Sequence, residues 1–102
     1  MQEKLNKLLQ ALQGYHPQRI ILFGSLARGE ADADSDLDVL VIKDTTDPFV
    51  SRLEVMAELC PLGVHAAILV YTPDELRQMI DDGNPFILQI LREGRTVYEA
   101  GP

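Results

Sequence analysis

The stretch that decides the fold is Arg19-Ile20-Ile21-Leu22-Phe23-Gly24-Ser25-Leu26-Ala27-Arg28-Gly29, followed after an acidic loop by Asp36-Leu37-Asp38-Val39-Leu40-Val41-Ile42. Residues 19–23 form a short, branched apolar run that stops at Gly-Ser, the pattern of a buried strand. Ser25 is placed to cap a short helix over 25–29. Leu37 to Ile42 is apolar except for Asp38 and reads as a second strand. Residues two apart in a strand share a side, so Asp36 and Asp38 converge on one point. Two carboxylates so close repel unless a cation neutralises them or one takes a proton. A divalent cation with oxygen ligands, typically Mg²⁺ shared with phosphate oxygens, resolves that conflict. A strand running through Gly-Ser into a helix start is a plausible phosphate cradle, because glycine admits close backbone approach and free helix N–H groups attract anions.

The rest of the acidic loop carries Glu30, Asp32 and Asp34, which read as solvated. Asp32-x-Asp34-x-Asp36 matches the first three ligand positions of a calcium loop. That loop requires Gly at position 6 and Glu at position 12, where this chain has Leu37 and Lys43, so the calcium reading fails.

Working outward, Leu5, Leu8, Leu9 and Leu12 fall at helical spacing over residues 2–13, and Gly14 and Pro17 end that helix. Pro48 suits the first position of a helix whose buried stripe is Phe49, Leu53, Met56, Ala57 and Cys60. Val64–Tyr71 is a third strand. Thr72-Pro73-Asp74-Glu75 has the cap, proline and acids of a helix start, and this helix runs to about Asp82. Gly83-Asn84-Pro85 separates it from a helix over 86–92, and Thr96–Tyr98 is a short last strand. The order α-β-α-β-α-β-α-α-β predicts an α/β (α+β) fold, a small sheet with helices packed mainly on one face, in a single domain spanning 1–102.

Composition narrows the function. Sixteen acidic residues against nine basic ones give a net charge of -7, which argues against coating nucleic acid through its phosphates. A single cysteine, Cys60, cannot form an internal disulfide; it suits a reducing, cytoplasmic setting and reads as a small apolar residue near a helix end. The longest apolar run, Ala66–Tyr71, is far short of the ~20 residues that cross a bilayer, and Met1-Gln-Glu-Lys-Leu lacks the apolar stretch expected of a signal peptide.

At these residues the sequence resembles the nucleotidyltransferases of the DNA polymerase β superfamily. Their motif is Gly-Ser, ten residues, then Asp-x-Asp; here residues 26–35 separate Gly24-Ser25 from Asp36-x-Asp38. Val70-Tyr-Thr-Pro-Asp-Glu-Leu, Phe86-Ile-Leu-Gln-Ile-Leu-Arg-Glu-Gly and Val97-Tyr-Glu are similar to stretches of the minimal nucleotidyltransferase branch, so the resemblance covers about residues 18–99. It implies a mixed sheet of the polymerase β-like nucleotidyltransferase fold. It also implies that Gly24 and Ser25 bind the nucleotide's terminal phosphates, that Asp36 and Asp38 hold Mg²⁺, and that AMP passes from ATP to a hydroxyl. Arg28 either steadies the phosphate turn or pairs with a nearby acid.

The family usually adds a third carboxylate from a later strand. Counting back from Thr72-Pro73 places it at position 67, where this chain has Ala67. His65, two residues earlier, is not the family's pattern and reads as structural or partly exposed. Without that carboxylate, turnover falls by roughly 10²-fold or more if general-base help is lost. Minimal nucleotidyltransferases are commonly paired with a helical HEPN protein, often an RNase toxin that the nucleotidyltransferase silences by attaching AMP to a tyrosine. The resemblance therefore implies an antitoxin in a hetero-oligomer with such a partner, an acidic protein facing a basic one. Two alternatives stand beside it: a non-catalytic module that neutralises its partner by contact, favoured by Ala67, and nucleotidyl transfer to a small molecule.

Overall fold

In the computed structural model, residues 2–29 and 36–101 are described. Helix α1 (Gln2–Leu12) runs through a 3-10 turn (Gln13–Tyr15) into β1 (Arg19–Phe23), which passes directly into the four-residue α2 (Gly24–Ala27). Then come β2 (Leu37–Ile42), α3 (Phe49–Leu59), β3 (Ala66–Tyr71), α4 (Pro73–Asp81), α5 (Pro85–Glu93) and β4 (Arg95–Glu99). The acidic-loop residues Glu30, Asp32 and Asp34 lie outside the described residues.

The strands form one mixed sheet in the order β3-β2-β1-β4. β1 is antiparallel to both neighbours, whereas β2 and β3 are parallel, and a register irregularity interrupts the β1–β4 ladder between Ile20 and Ile21. The central strands are apolar at nearly every position because both of their faces are covered. On one face Ile20, Leu22, Val39, Val41, Ile68 and Val70 pack against Leu5, Leu8 and Leu12 of α1 and Met56 of α3. This larger cluster is the expected helical face. On the other face a smaller cluster joins Ile21, Leu40 and Ile42 to Ile87 and Ile90 of α5, with Leu76 and Met79 of α4 beside it. By strand alternation Asp38 lies on this second face, as does Ala67.

The short helices are stopped and started by local chemistry. The Thr72 hydroxyl accepts from the Glu75 N–H at 3.1 Å, and the Glu75 carboxylate accepts from the Thr72 N–H at 2.8 Å, a complete capping box ahead of α4. The Asn84 side chain caps α5 by accepting from Phe86 and Ile87. At the far end of α5, Gly94 lets the chain turn into β4. A Cβ there would collide with the Ile90 carbonyl and stand 2.7 Å from the Ile21 side chain.

Helix α3 departs from the expected stripe. Leu53 is 38% exposed and Ala57 is exposed, whereas Arg52, a charged residue, is only 5% exposed. Its guanidinium makes four hydrogen bonds: Nε donates to the Asp47 carbonyl (2.8 Å), Nη1 to the Val70 carbonyl (3.2 Å), and Nη1 and Nη2 fork onto the Glu75 carboxylate (2.6 and 3.2 Å). One side chain thus ties α3 to β3 and to the capping box of α4. The Arg52 guanidinium holds the Glu75 pKa below its ordinary value, and the hydrogen-bonded Glu75 carboxylate raises that of Arg52. Pro48 is the N-cap of α3 rather than its first helical residue, and β3 begins at Ala66 rather than Val64 because the Val64 N–H closes a turn onto the Pro61 carbonyl.

Candidate functional site

The site grows from the end of β1. Phe23 is the Cα partner of Asp38 on β2, and on the other side Asp38 is the partner of Ala67 on β3. Phe23, Asp38 and Ala67 therefore form one row across three strands, on the face that α5 covers at one end. Immediately after Phe23 the chain turns at Gly24, whose φ of 76° is left-handed. This position also lies against the acid: a Cβ on Gly24 would run into Asp38 Oδ2 and stand 3.1 Å from its Cγ. Glycine is required here on both counts, for backbone conformation and for space. The helix begins at Gly24, one residue before the expected Ser25 cap; the Ser25 side chain lies outside the described residues.

Asp36 is exposed and sits just before β2, whose first residue is Leu37. Asp38 is half-buried. Desolvation raises its pKa, the charge of Asp36 raises it further, and Arg28 opposes both. The two carboxylates are thus close enough to feel each other, the like-charge pair anticipated from their spacing. A positive charge is what such a pair lacks, so the donor set fits a hard divalent cation. It supplies two carboxylates rather than three. Among the described residues no group of three or more His, Cys, Asp or Glu side chains is arranged to hold a metal ion, and the strand position beside Asp38 carries only the methyl of Ala67. His65 is exposed, and its backbone carbonyl accepts from the Leu37 N–H at 3.0 Å, extending the β2–β3 ladder.

Arg28, at the end of α2, pairs with Glu93 of α5 (Nη1 to Oε2, 3.3 Å). Gln89, one turn earlier on α5, donates to the same oxygen at 3.3 Å. These residues, with Phe23, Gly24 and Phe86, line a pocket of about 190 Å³ next to Asp38. The α5 contribution was not foreseen; the only sequence signal was its likeness to a stretch of known nucleotidyltransferases. Cys60 lies elsewhere, at the end of α3. It donates to the Val64 carbonyl (Sγ to O, 3.2 Å), and burial pushes its thiol pKa up, which marks a structural rather than a reactive cysteine. No helix among the described residues is long and apolar enough to cross a membrane.

The family model described as polymerase beta, nucleotidyltransferase, matches residues 3–101. A Methanocaldococcus jannaschii protein bearing the name "Putative protein adenylyltransferase" is 32% identical over 98 residues, which cover 96% of this chain and 94% of that protein. In structure, the chain is similar to one from a toxin-antitoxin crystal structure with AMP-PNP, with a TM-score of 0.57 and 24% identity over 93% of this chain and 73% of the other. It is also similar to a chain of a mutant MntA-HpeT toxin-antitoxin complex, with a TM-score of 0.62 and 20% identity over 93% and 73% of the two chains. At these identities the structural likeness speaks to the fold.

Proposed function

Because this chain belongs to the polymerase beta nucleotidyltransferase family, we propose that it is an antitoxin that transfers AMP from ATP to a hydroxyl, a tyrosine by preference, of a helical HEPN toxin and so neutralises it. The observation that carries this reading is the Gly24–Asp38 contact, which sets a phosphate turn directly against a half-buried acid that has a second acid beside it. The M. jannaschii relative's name supports adenylyl transfer to a protein, and the toxin-antitoxin neighbours support a toxin as the acceptor.

In the proposed reaction the acceptor oxygen bonds to the α-phosphorus of ATP. The bond from that phosphorus to the bridging oxygen breaks, and pyrophosphate leaves. Gly24 and Ser25 hold the terminal phosphates with backbone N–H groups. Asp36 and Asp38 would hold Mg²⁺, whose charge offsets that of the triphosphate and of the acids themselves. The proton of the acceptor hydroxyl has no carboxylate at position 67 to receive it and passes to solvent, so transfer is slow in this chain, by roughly 10²-fold or more relative to a three-carboxylate site.

Ala67 also favours a second reading, in which the chain neutralises its partner by contact and the nucleotide site does not turn over. Incubating the chain with α-labelled ATP, Mg²⁺ and its co-purified helical partner separates the two. Label on the partner establishes transfer. A partner that is silenced yet unlabelled establishes contact alone.

A further inference from the structure

β3 and β4 are the outer strands of the sheet, and the two edges are built differently. β4 reads Arg95-Thr-Val-Tyr-Glu99, with a charge at each end and a register irregularity in its ladder. Such devices keep a sheet edge from pairing with another chain. β3 reads Ala66-Ala-Ile-Leu-Val-Tyr71 and carries no charge, no proline and no irregularity.

The ladder fixes which groups of β3 point outward. The His65 carbonyl accepts from Leu37 and the Tyr71 carbonyl from Lys43, so the odd-numbered residues turn their peptide groups to β2. Ala66, Ile68 and Val70 turn theirs away from it. The Arg52–Glu75 pair closes one end of this edge: Arg52 Nη1 donates to the Val70 carbonyl, and Glu75 Oε1 accepts from the Thr72 N–H. Among the described residues nothing bonds the outward N–H and C=O of Ala66 and Ile68 or the N–H of Val70. Beside them lies a cavity of about 120 Å³ between α3 and β3, lined by Leu53, Met56, Ala57, Cys60, Ala66 and Ile68. Val50, on the same stripe of α3 as Leu53 and Ala57, is 67% exposed.

The geometry points to a second copy of this chain as the occupant of this edge. β3 of one copy pairs antiparallel with β3 of the other about a two-fold axis beside Ile68, joining the two sheets into one. Residues directly opposite each other in an antiparallel pair share a face, so the axis passes beside a residue and not between two. Centred on Ile68, each Ile68 exchanges both bonds with its copy, and each Val70 N–H donates to the copy's Ala66 carbonyl. The Ala66 N–H reaches the copy's Val70 carbonyl, which has a second lone pair beside the one Arg52 uses. Centred on Ala66 or Val70, the pairing would call on Val64 or Thr72, whose peptide groups are already bonded to Pro61, Cys60 and Glu75. The side chains agree with the Ile68 register. Ile68 meets its copy on the face where both cavities lie, and the small Ala67 faces the copy's Leu69.

Charge selects a copy over a basic partner. None of the sixteen acids lies between Val64 and Tyr71, so a cationic surface finds nothing to pair with along this strand. A second copy brings an uncharged strand and its own Val50, Leu53 and Ala57. Neither the pairing nor its test involves the acids of the nucleotide site.

The test is sedimentation equilibrium of the intact chain over a range of concentrations. Wild type is expected to pass from one to two chain masses between roughly micromolar and millimolar concentration. It should associate more tightly as salt is raised, because copies of net charge -7 repel each other. Ala66→Pro, which removes an outward N–H at the first residue of an edge strand, and Leu53→Lys each weaken the dimer roughly tenfold or more and keep the wild-type circular dichroism. In a Cys60→Ser background, mild oxidation crosslinks Ile68→Cys, which faces its own copy, and not Ala66→Cys, which faces Val70. A chain that stays monomeric up to about 1 mM overturns the pairing. If Ala66→Pro then also loses the co-purified helical partner, the edge belongs to that partner. A dimer that both variants leave intact, that salt dissolves, or that crosslinks at position 66 and not at 68 contradicts the pairing as well.

Discussion

Asp38 and Ala67 are Cα partners on adjacent parallel strands, β2 and β3, and share one face of the sheet. A carboxylate at position 67 would therefore stand beside that of Asp38, on the side away from Gly24. In the proposed reading, the third carboxylate would thus need only a side chain at a position the backbone already provides. Two further relations support the proposed site: the left-handed turn at Gly24 and the exposed Asp36 at the entrance to β2.

Gly24→Ala forces a Cβ into the Asp38 carboxylate and into a left-handed conformation that alone costs roughly 1–2 kcal/mol. The expected outcome is a fall in Tm of about 5–10 °C together with loss of ATP binding, read by thermal melts and calorimetry. A variant that melts lower but binds ATP normally would detach the turn from the nucleotide.

Asp38→Asn separates stability from function. Burial and Asp36 raise the folded-state pKa of Asp38 above its unfolded value, so the folded state holds this proton more tightly. Wild-type stability is accordingly lost as pH rises from the ordinary carboxylate range through the raised pKa. In metal-free buffer the asparagine variant should melt higher than wild type at pH 7, by about a few degrees, with the difference shrinking toward pH 3. It should also lose Mg²⁺-dependent ATP binding. Equal melting temperatures at pH 7 would show that the two acids do not strain the empty site.

Arg52 and Glu75 carry the opposite sign. Arg52 lowers the Glu75 pKa, so their contribution is present above the unfolded carboxylate value and is lost as pH falls through the folded one. Arg52→Ala removes four hydrogen bonds to three residues and should cost about 2–4 kcal/mol by denaturant melts at pH 7, discounted for the 40% exposure of the Glu75 side chain. Glu75→Gln, which keeps the shape of the capping box, should cost less, about 1 kcal/mol. Equal costs for the two variants would place the energy in the ion pair rather than in the network around Arg52.

Much of this molecule is legible along the chain. β1 and β2 run over the residues their apolar runs mark, and Thr72–Glu75 forms the capping box its spelling suggests, because these features depend on neighbours a few residues apart. Burial of Arg52 was not legible: its partners Val70 and Glu75 lie 18 and 23 residues away, so helical periodicity pointed to Leu53 and Ala57 instead. The second helical face and the β3-β2-β1-β4 order were hidden for the same reason, since they are fixed by pairings between distant segments. In the site, the Gly-Ser and Asp-x-Asp spacing was readable, and the structure sets Gly24 against Asp38 and Ala67 beside it. The role of Arg28 was open; it pairs with Glu93, 65 residues on, which no local pattern indicates.

We propose that Ala67 alone separates this site from a three-carboxylate nucleotidyltransferase. It is tested most directly by the rate at which Ala67→Asp moves label from α-labelled ATP onto the helical partner with Mg²⁺ present. The expected result is a gain of roughly 10²-fold over wild type, abolished when Asp36→Ala is added to the same variant. No transfer by Ala67→Asp, or transfer that survives Asp36→Ala, would contradict it.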